Sequence, residues 1–287
     1  MTGAGDHADR PPVVAVIPAY QPGPNLLSLV TSLLGQSMRV VVVDDGSPTA
    51  SDLLDVAAEA GAQVLRHDAN LGIAAALNTG IRAALTEGDP VAVLTVDQDS
   101  DVPERYVVTL LNTWAKAERS GVRVGVVAPE HVSGLPDQRT GRVPVQSGLL
   151  IPSATLRQVG EFDESLVIDG VDDDFALRCL DAGLALVVAK GTRLGHRLGE
   201  THEVSFAGRT VTLTRSAPFR YYYLTRNRIR LVRRHGRRHP GWSANQIVGV
   251  GGHLGLVLAF GPGRADRFRE AWRGVQDGVR GRGDTRT

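Results

Sequence analysis

Val93-Leu94-Thr95-Val96-Asp97-Gln98-Asp99-Ser100 is the stretch on which the reading of this chain turns. Four largely apolar, β-favouring residues run straight into two carboxylates spaced i, i+2. An apolar run of this length with polar bounds predicts a buried strand. Open α/β sheets bind ligands beyond the carboxyl ends of their strands, so Asp97 and Asp99 are expected at a ligand mouth. Two anionic oxygens there suit a hard divalent cation, Mg2+ or Mn2+, that bridges to substrate phosphates. Taken alone, the same residues also describe a polar turn in which Asp99 caps a helix.

The flanking sequence repeats the pattern. Val13 to Ile17 reads as a first strand, followed by a loop that Pro18, Pro22 and Pro24 make irregular. Asn25 opens an amphipathic helix. Val40 to Val43 is a second strand, ending in Asp44-Asp45-Gly46-Ser47, and Ser51 to Ala60 a helix. Gln63 to Leu65 is a third strand, and Asn70-Leu71-Gly72 leads into an alanine-rich helix from Ile73. Beyond the opening stretch come a helix from Val102 to Glu118 and a strand from Val124 to Val127. A polar loop from His131 to Val143 precedes a strand within Gln146 to Ile151. Regular alternation of this kind predicts a mostly parallel central sheet with helices on both faces. There is no GxGxxG after the first strand and no Walker loop, which argues against a dinucleotide-binding dehydrogenase and a P-loop enzyme. Carboxylates close successive strands instead. Asp45 suits hydrogen bonds to a base or ribose, and its bland reading is a turn residue. Ser147-Gly148 leaves room for close approach of a substrate to the backbone.

A second acidic group follows at Asp169-Gly170-Val171-Asp172-Asp173-Asp174, where a helix is expected to start. Helix capping explains one or two acids at such a position. Four exceed that need, and Asp172 is the best general-base candidate. His196, between glycines after a late strand, is a candidate third cation ligand, although a lone histidine is more often structural.

Composition sets the remaining bounds. One cysteine, Cys179, excludes an internal disulfide framework and a cysteine-based zinc site. The polar first ten residues carry no secretory signal, and residues 1–12 are expected to be disordered. Residues 215–287 hold 16 of the 32 Lys+Arg and four of the 31 acidic residues, a net +12 against −11 for the rest. This asymmetry predicts an anionic partner for the tail. The tail interleaves aromatic residues and arginines from Phe219 to Arg228. Three successive tyrosines cannot share one helix face, so at least one belongs in a core. Gly241 to Phe260 is apolar but glycine-rich, a poor spanning helix and a better interfacial one. Gly274 to Thr287 is expected to fray.

Taken in order, Ile17-Pro18-Ala19-Tyr20, Asp44-Asp45-Gly46-Ser47, Asn70-Leu71-Gly72 with Asn78-Thr79-Gly80, Asp97-Gln98-Asp99-Ser100, Phe162-Asp163-Glu164, Val171-Asp172-Asp173-Asp174, Gly195-His196 and Arg220-Tyr221-Tyr222 with Arg226-Asn227 resemble the family-2 inverting glycosyltransferases of GT-A fold. The bacterial rhamnosyltransferase-like branch is the nearest match. The resemblance implies an α/β GT-A domain over residues 13–214 and a basic helical extension over 215–287. It implies that Pro18, Ala19, Tyr20, Asp45, Asn70, Gly72, Asn78, Asp97 and Gln98 bind the donor, and that Asp99 and His196, with Asp97, hold Mg2+ or Mn2+. Asp172 matches the family's base. Ser147, Gly148, Asp173, Asp174, Arg226 and Asn227 are assigned to the acceptor. The expected donor is dTDP-rhamnose, with UDP-galactofuranose or another UDP-sugar as the alternative. The expected acceptor is a glycan or polyprenyl-linked glycan, with the protein cytoplasmic and peripheral on the inner face of the plasma membrane.

Two other classes compete. A sugar-phosphate nucleotidyltransferase also uses carboxylate-bound metal, but it wants a basic, glycine-rich loop near the first strand, which Pro18-Ala19-Tyr20-Gln21 does not supply. A non-catalytic module driven by the basic tail leaves the ordered acidic sites unexplained, and no nucleic-acid partner is expected.

Overall fold

A computed structural model describes residues 13–36, 38–49, 51–196, 201–206, 209–214, 216–260 and 263–281. Residues 1–12, expected to be disordered, lie outside the described residues. Four parallel strands, β1 (Val13–Ala19), β2 (Arg39–Asp44), β3 (Gln63–Arg66) and β4 (Ala92–Thr95), lie in the order β3-β2-β1-β4. A two-residue strand β5 (Ser100–Asp101), β6 (Val124–Val132), β7 (Leu149–Pro152) and β8 (Ala185–His196) extend the sheet beyond β4 in the order β7-β6-β8-β5. β7 runs antiparallel to both β4 and β6, and β5 antiparallel to β8, so the sheet is mixed around a parallel half. A hairpin, β9 (Thr201–Phe206) with β10 (Arg209–Thr214), forms a separate two-stranded sheet that no sequence signal had marked.

Alternation along β1 explains the layers. Val13, Ala15 and Ile17 face α1 (Asn25–Gly35), α2 (Ser51–Glu59) and α4 (Tyr106–Arg119). Val14 and Val16 face α3 (Ile73–Thr86), α5 (Ser153–Val159) and α6 (Val171–Asp181). A strand covered on both faces reads as a continuous apolar run, as Val13–Ile17 does. Two boundaries differ from expectation. α4 begins at Tyr106 rather than Val102, because Pro103 and the left-handed Arg105 (φ 64°) precede it and Ser100–Asp101 pairs with β8. β6 continues to Val132 because β8 pairs with it as far as Leu194.

Three helices complete the chain: α7 (Pro218–His235), α8 (Pro240–Phe260) and α9 (Arg264–Arg280). Among the described residues no helix is long and apolar enough to cross a membrane. Tyr221, Tyr222 and Tyr223 are all buried, more than the one that helix geometry required. Of the residues from Gly274 to Thr287 expected to fray, 274–280 are helical and 282–287 lie outside the described residues. Gly274 and Gly278 let α9 lie directly on α7: a Cβ at Gly274 would run into the Tyr222 carbonyl oxygen and Thr225 Oγ1. Thr225 Oγ1 donates across this contact to the Ala271 carbonyl at 2.8 Å. Gly274→Val should therefore lower stability by about 1–3 kcal/mol through overpacking against backbone. Urea denaturation checks this, and an unchanged midpoint would show that α9 does not pack as described.

Candidate active site

A cleft of about 1000 Å³ opens at the carboxyl ends of β1, β2 and β4. The chain reverses its strand order between β1 and β4, which is where open α/β sheets leave a crevice. Pro18, Ala19, Tyr20, Asp45, Asn70, Gly72, Asp97, Gln98 and Asp99 line one side. Gln98 is spent on position: its Oε1 accepts from the Tyr20 N–H at 2.8 Å and its Nε2 donates to the Tyr20 carbonyl at 3.1 Å. That pair clamps the loops after β1 and β4 together and holds the half-exposed Tyr20 ring at the rim. Asp45 is buried and heavily engaged. It accepts from the Leu71 and Gly72 N–H groups at 2.9 and 2.8 Å and meets His67 Nδ1 at 2.8 Å. The carboxylate thus ties the Asn70-Leu71-Gly72 turn to β2. Gly72 has φ 95°, and a Cβ there would lie 2.6 Å from the Val167 carbonyl oxygen, so glycine alone allows this turn to meet the 167–170 loop.

Ser147 lines the cleft. Its Oγ accepts from the Asp97 N–H at 3.0 Å and lies 3.0 Å from Ser100 Oγ, fixing the two-carboxylate turn. Its neighbour Gly148 does not line the cleft. A Cβ there would strike the Tyr106 hydroxyl, which donates to the Gly148 carbonyl at 2.8 Å. The substrate approach expected at Gly148 is replaced by packing of α4.

The opposite wall is built by the 167–173 segment and by α7. Val167, Asp169 and Gly170 all have positive φ, at 63°, 65° and 90°. A run of this kind persists only where the surroundings over-determine it, and α7 does so. Asn227 Nδ2 lies 2.7, 2.8 and 2.8 Å from the carbonyl oxygens of Leu166, Ile168 and Asp169. Arg226, fully buried against the Tyr222 and Tyr223 rings, donates to the Ser165 carbonyl at 2.7 Å. Arg226 and Asn227 were expected to bind acceptor. The structure instead spends them on the loop, and neither lines the cleft.

The three successive aspartates at the start of α6 diverge because each helical residue turns by about 100°. Asp172 and Asp173 line the cleft. Asp173 accepts from Arg228 Nη1 at 2.7 Å and from Trp242 Nε1 at 3.0 Å. Asp174, expected at the acceptor, points into the core and accepts from Arg178, Arg234 and His235 at 2.7, 2.9 and 2.9 Å. Burial alone would raise its pKa. The His235 hydrogen bond and the Arg178 and Arg234 guanidiniums outweigh that and hold it well below the usual carboxylate range. Asn78, expected at the donor, likewise does not line the cleft. Its amide donates to the Phe162 carbonyl and to Glu164 Oε1 at 2.9 Å each, and its oxygen accepts from the Phe162 N–H at 2.9 Å.

Asp172 is the perturbed group of the cleft. Burial and the neighbouring Asp173 charge push its pKa from 3.8 up to about 7, with Asp169 adding to the rise and Arg228 opposing it. These effects outweigh the helix macrodipole, which favours the ionised form at this end. Phe219, Arg220, Tyr223, Leu224 and Arg228 of α7 also line the cleft, and Arg220 Nη2 binds Asp169 Oδ1 at 2.7 Å. None of the five had been assigned to the site, although the 220, 224, 228 spacing marks one helix face. The His196 side chain lies outside the described residues. Among the described residues no group of three or more His, Cys, Asp or Glu is arranged to hold a metal. Asp97 and Asp99 form a two-carboxylate donor set. That fits a divalent ion whose remaining ligands are water and substrate phosphates, the usual manner for Mg2+.

The mixed α/β sheet with an acidic cleft at its switch point has the GT-A architecture. The chain belongs to glycosyl transferase family 2, whose model matches residues 14–167, and it is a glycosyltransferase. It is 28% identical over 296 residues to the dTDP-rhamnosyl transferase RfbF of Shigella flexneri, covering 94% of this chain and 96% of that protein. It is 35% identical over 204 residues to the pre-mycofactocin glycosyltransferase of Mycobacterium tuberculosis, covering 61% of this chain and 40% of that one. Among solved structures, GalNAc-T7 with UDP, GalNAc and Mn2+ shares the fold at 15% identity, with a TM-score of 0.54 over 78% of this chain and 48% of that chain.

Asn227→Ala should lower stability by about 2–3 kcal/mol, since it removes the donor shared by three loop carbonyls at roughly 1 kcal/mol per bond. Turnover should fall more than nucleotide affinity, because the loop carries the Asp172 side of the cleft. Denaturant melts with nucleotide titration check both, and wild-type stability and turnover would refute the anchoring role.

Proposed function

We propose that the cleft binds a nucleoside-diphosphate sugar and passes the sugar, with inversion, to an acceptor hydroxyl deprotonated by Asp172. The observation that carries this reading is geometric: Asp172 lines the same cleft as Asp97 and Asp99, on the wall that α7 completes, and burial with the neighbouring Asp173 charge raises its pKa toward neutrality. A base is most useful when its pKa lies near the working pH. The acceptor oxygen attacks the anomeric carbon, its proton passes to the Asp172 carboxylate, and the bond to the nucleoside diphosphate breaks on the opposite face. Tyr20 at the rim, with Ala19 and Asp45, is assigned to the base and ribose. Asp97 and Asp99 would hold Mg2+ or Mn2+, which when bound neutralises charge developing on the leaving diphosphate. Arg220 and Arg228 are the guanidiniums that line the cleft among its carboxylates.

The donor assigned first is dTDP-rhamnose, supported by the full-length likeness to a protein named for that donor. UDP-galactofuranose and other UDP-sugars come next. The acceptor assigned is a glycan or polyprenyl-linked glycan, reached from the side of α7 where Phe219 and Leu224 form an apolar rim, with the protein peripheral on a membrane.

Asp172→Asn should lower turnover by about 10²–10⁴-fold while donor binding persists. In the wild type the carboxylate is the active form, so the rate should climb with pH and level off above about 7. The stability sign is opposite. The folded pKa lies above the unfolded one, so the wild type loses stability as pH rises between them, and Asp172→Asn should escape this loss. Full activity in the variant, or a flat pH profile, would sink the assignment.

The donor is tested by thermal shift against a panel of nucleotide sugars and one free nucleoside triphosphate, with and without Mn2+. A nucleotide sugar should stabilise the protein most, with Mn2+ adding to the shift and Asp99→Ala abolishing that addition. A response to the triphosphate alone would favour nucleotidyl transfer.

A further inference from the structure

We propose that α8 and α9 form a docking surface for an anionic phospholipid bilayer. This locates the membrane contact on particular residues that the cleft does not use. α8 contains no Asp, Glu, Lys or Arg over its 21 residues, yet much of it faces outward. Ile247 and Val248 are 58% and 74% exposed. A solvent-facing helix without a single charged residue is uncommon, and exposed apolar side chains such as these mark an interaction site where a second apolar face adjoins them.

α9 supplies the second observation. Its small residues Ala271, Gly274 and Gly278 face α7. Phe268, Trp272 and Val279 are 54%, 54% and 60% exposed. At about 100° per residue they fall within about 40° of one another, a stripe distinct from the α7 contact. Arg269, Arg273 and Arg280 follow along one flank of the stripe, about 100–140° round from Phe268 by the same spacing. The carboxylates of the helix, Asp266, Glu270 and Asp277, lie further round. Asp266 and Glu270 meet Arg269 and Arg273 at 2.8 and 3.0 Å. The Arg269–Asp266 pair is exposed on both sides and contributes little, so lipid phosphate can compete for that guanidinium, while Arg273 is half-exposed beside a largely buried Glu270.

An aromatic stripe beside an arginine row is the pattern of a helix that lies in a bilayer interface. Trp and Phe enter the headgroup boundary while the guanidiniums meet phosphate. The competing occupant is a second copy of the chain, but a two-fold pairing through this stripe would bring arginine rows together with no carboxylate on the stripe to receive them. The surface also adjoins the cleft: Leu254 and Val257 of α8 cluster with Tyr221 and Leu224 of α7, and Leu224 lines the cleft. Docking would bring that wall to the lipid surface. This last consequence rests on the glycosyltransferase reading of the cleft; the docking does not.

The test is co-sedimentation of the full chain with phosphatidylcholine vesicles that contain or lack phosphatidylglycerol. The wild type should partition at least about tenfold more onto the anionic vesicles and be released by salt. The doubly substituted Phe268→Ser, Trp272→Ser protein should lose about tenfold or more of that partition. Both side chains are more than half exposed, so the variant should melt with the wild type, and its transfer to a soluble acceptor should be unchanged. Equal partition of the two proteins, or no partition of either, would overturn the proposal. So would a sedimentation-velocity dimer that the variant dissolves, which would assign the face to a second copy. Loss of glycosyl transfer in the wild type with vesicle binding intact would overturn the reading of the cleft and leave the docking surface standing.

Discussion

The structure depends on how the backbone of residues 165–170 is held. Three of its residues sit at positive φ, two of them without glycine's freedom. Such conformations are unfavourable by about 1–3 kcal/mol each and collapse unless other groups fix them. Carbonyls turned inward from that segment also need donors. Asn227 and Arg226 supply them from one turn of α7. Arg226 packs against the edge-on pair of Tyr222 and Tyr223, and α9 closes over the same stretch of α7 where Gly274 and Gly278 permit it. The position of Asp172 is therefore set by helices far along the chain.

This arrangement changes the meaning of the charge asymmetry. A tail of net +12 beside a body of −11 suggested an external anion. Much of the difference is instead internal complementarity. Arg220 meets Asp169, Arg228 meets Asp173, Arg234 meets Asp163 and Asp174, and Arg238 meets Asp181. α7 is consequently a wall of the cleft. The arginines left for an external partner are fewer than composition indicated, and those of α9 stand beside an apolar stripe.

What was legible in the sequence was local. A strand that runs into Asp97 and Asp99 announces its own mouth, and the strand–helix alternation fixes a parallel half-sheet. An excess of acids at a helix start needs a reason, and Asp172 and Asp173 line the cleft. Asn78, Asp174, Arg226 and Asn227 were misplaced for a common cause. Polar residues in recognisable motifs invite assignment to ligands, whereas a buried amide or guanidinium is as readily consumed by distant backbone. Nothing local tells Asn78 that Phe162 and Glu164 will occupy its amide, nor Asp174 that Arg234 and His235 will meet it. The antiparallel insertion of β7 and the hairpin β9–β10 were missed for a related reason, since strand direction is set by pairing partners and not by the strand's own residues.

The same through-space logic governs the basicity of Asp172. Asp173 raises its pKa, yet Asp173 is itself paired with Arg228, which lowers it. Remove the guanidinium, and Asp172 faces an uncompensated neighbour in a poorly hydrated site, which drives its pKa further up and leaves less carboxylate at neutral pH. Remove Asp173, and the unpaired Arg228 draws the pKa down and weakens the base. Neither change touches the Asp172 side chain. Burial raises the Asp172 pKa first, and the opposed charges of Asp173 on α6 and Arg228 on α7 then tune it, so the seating of α7 on the 165–170 loop bears on it.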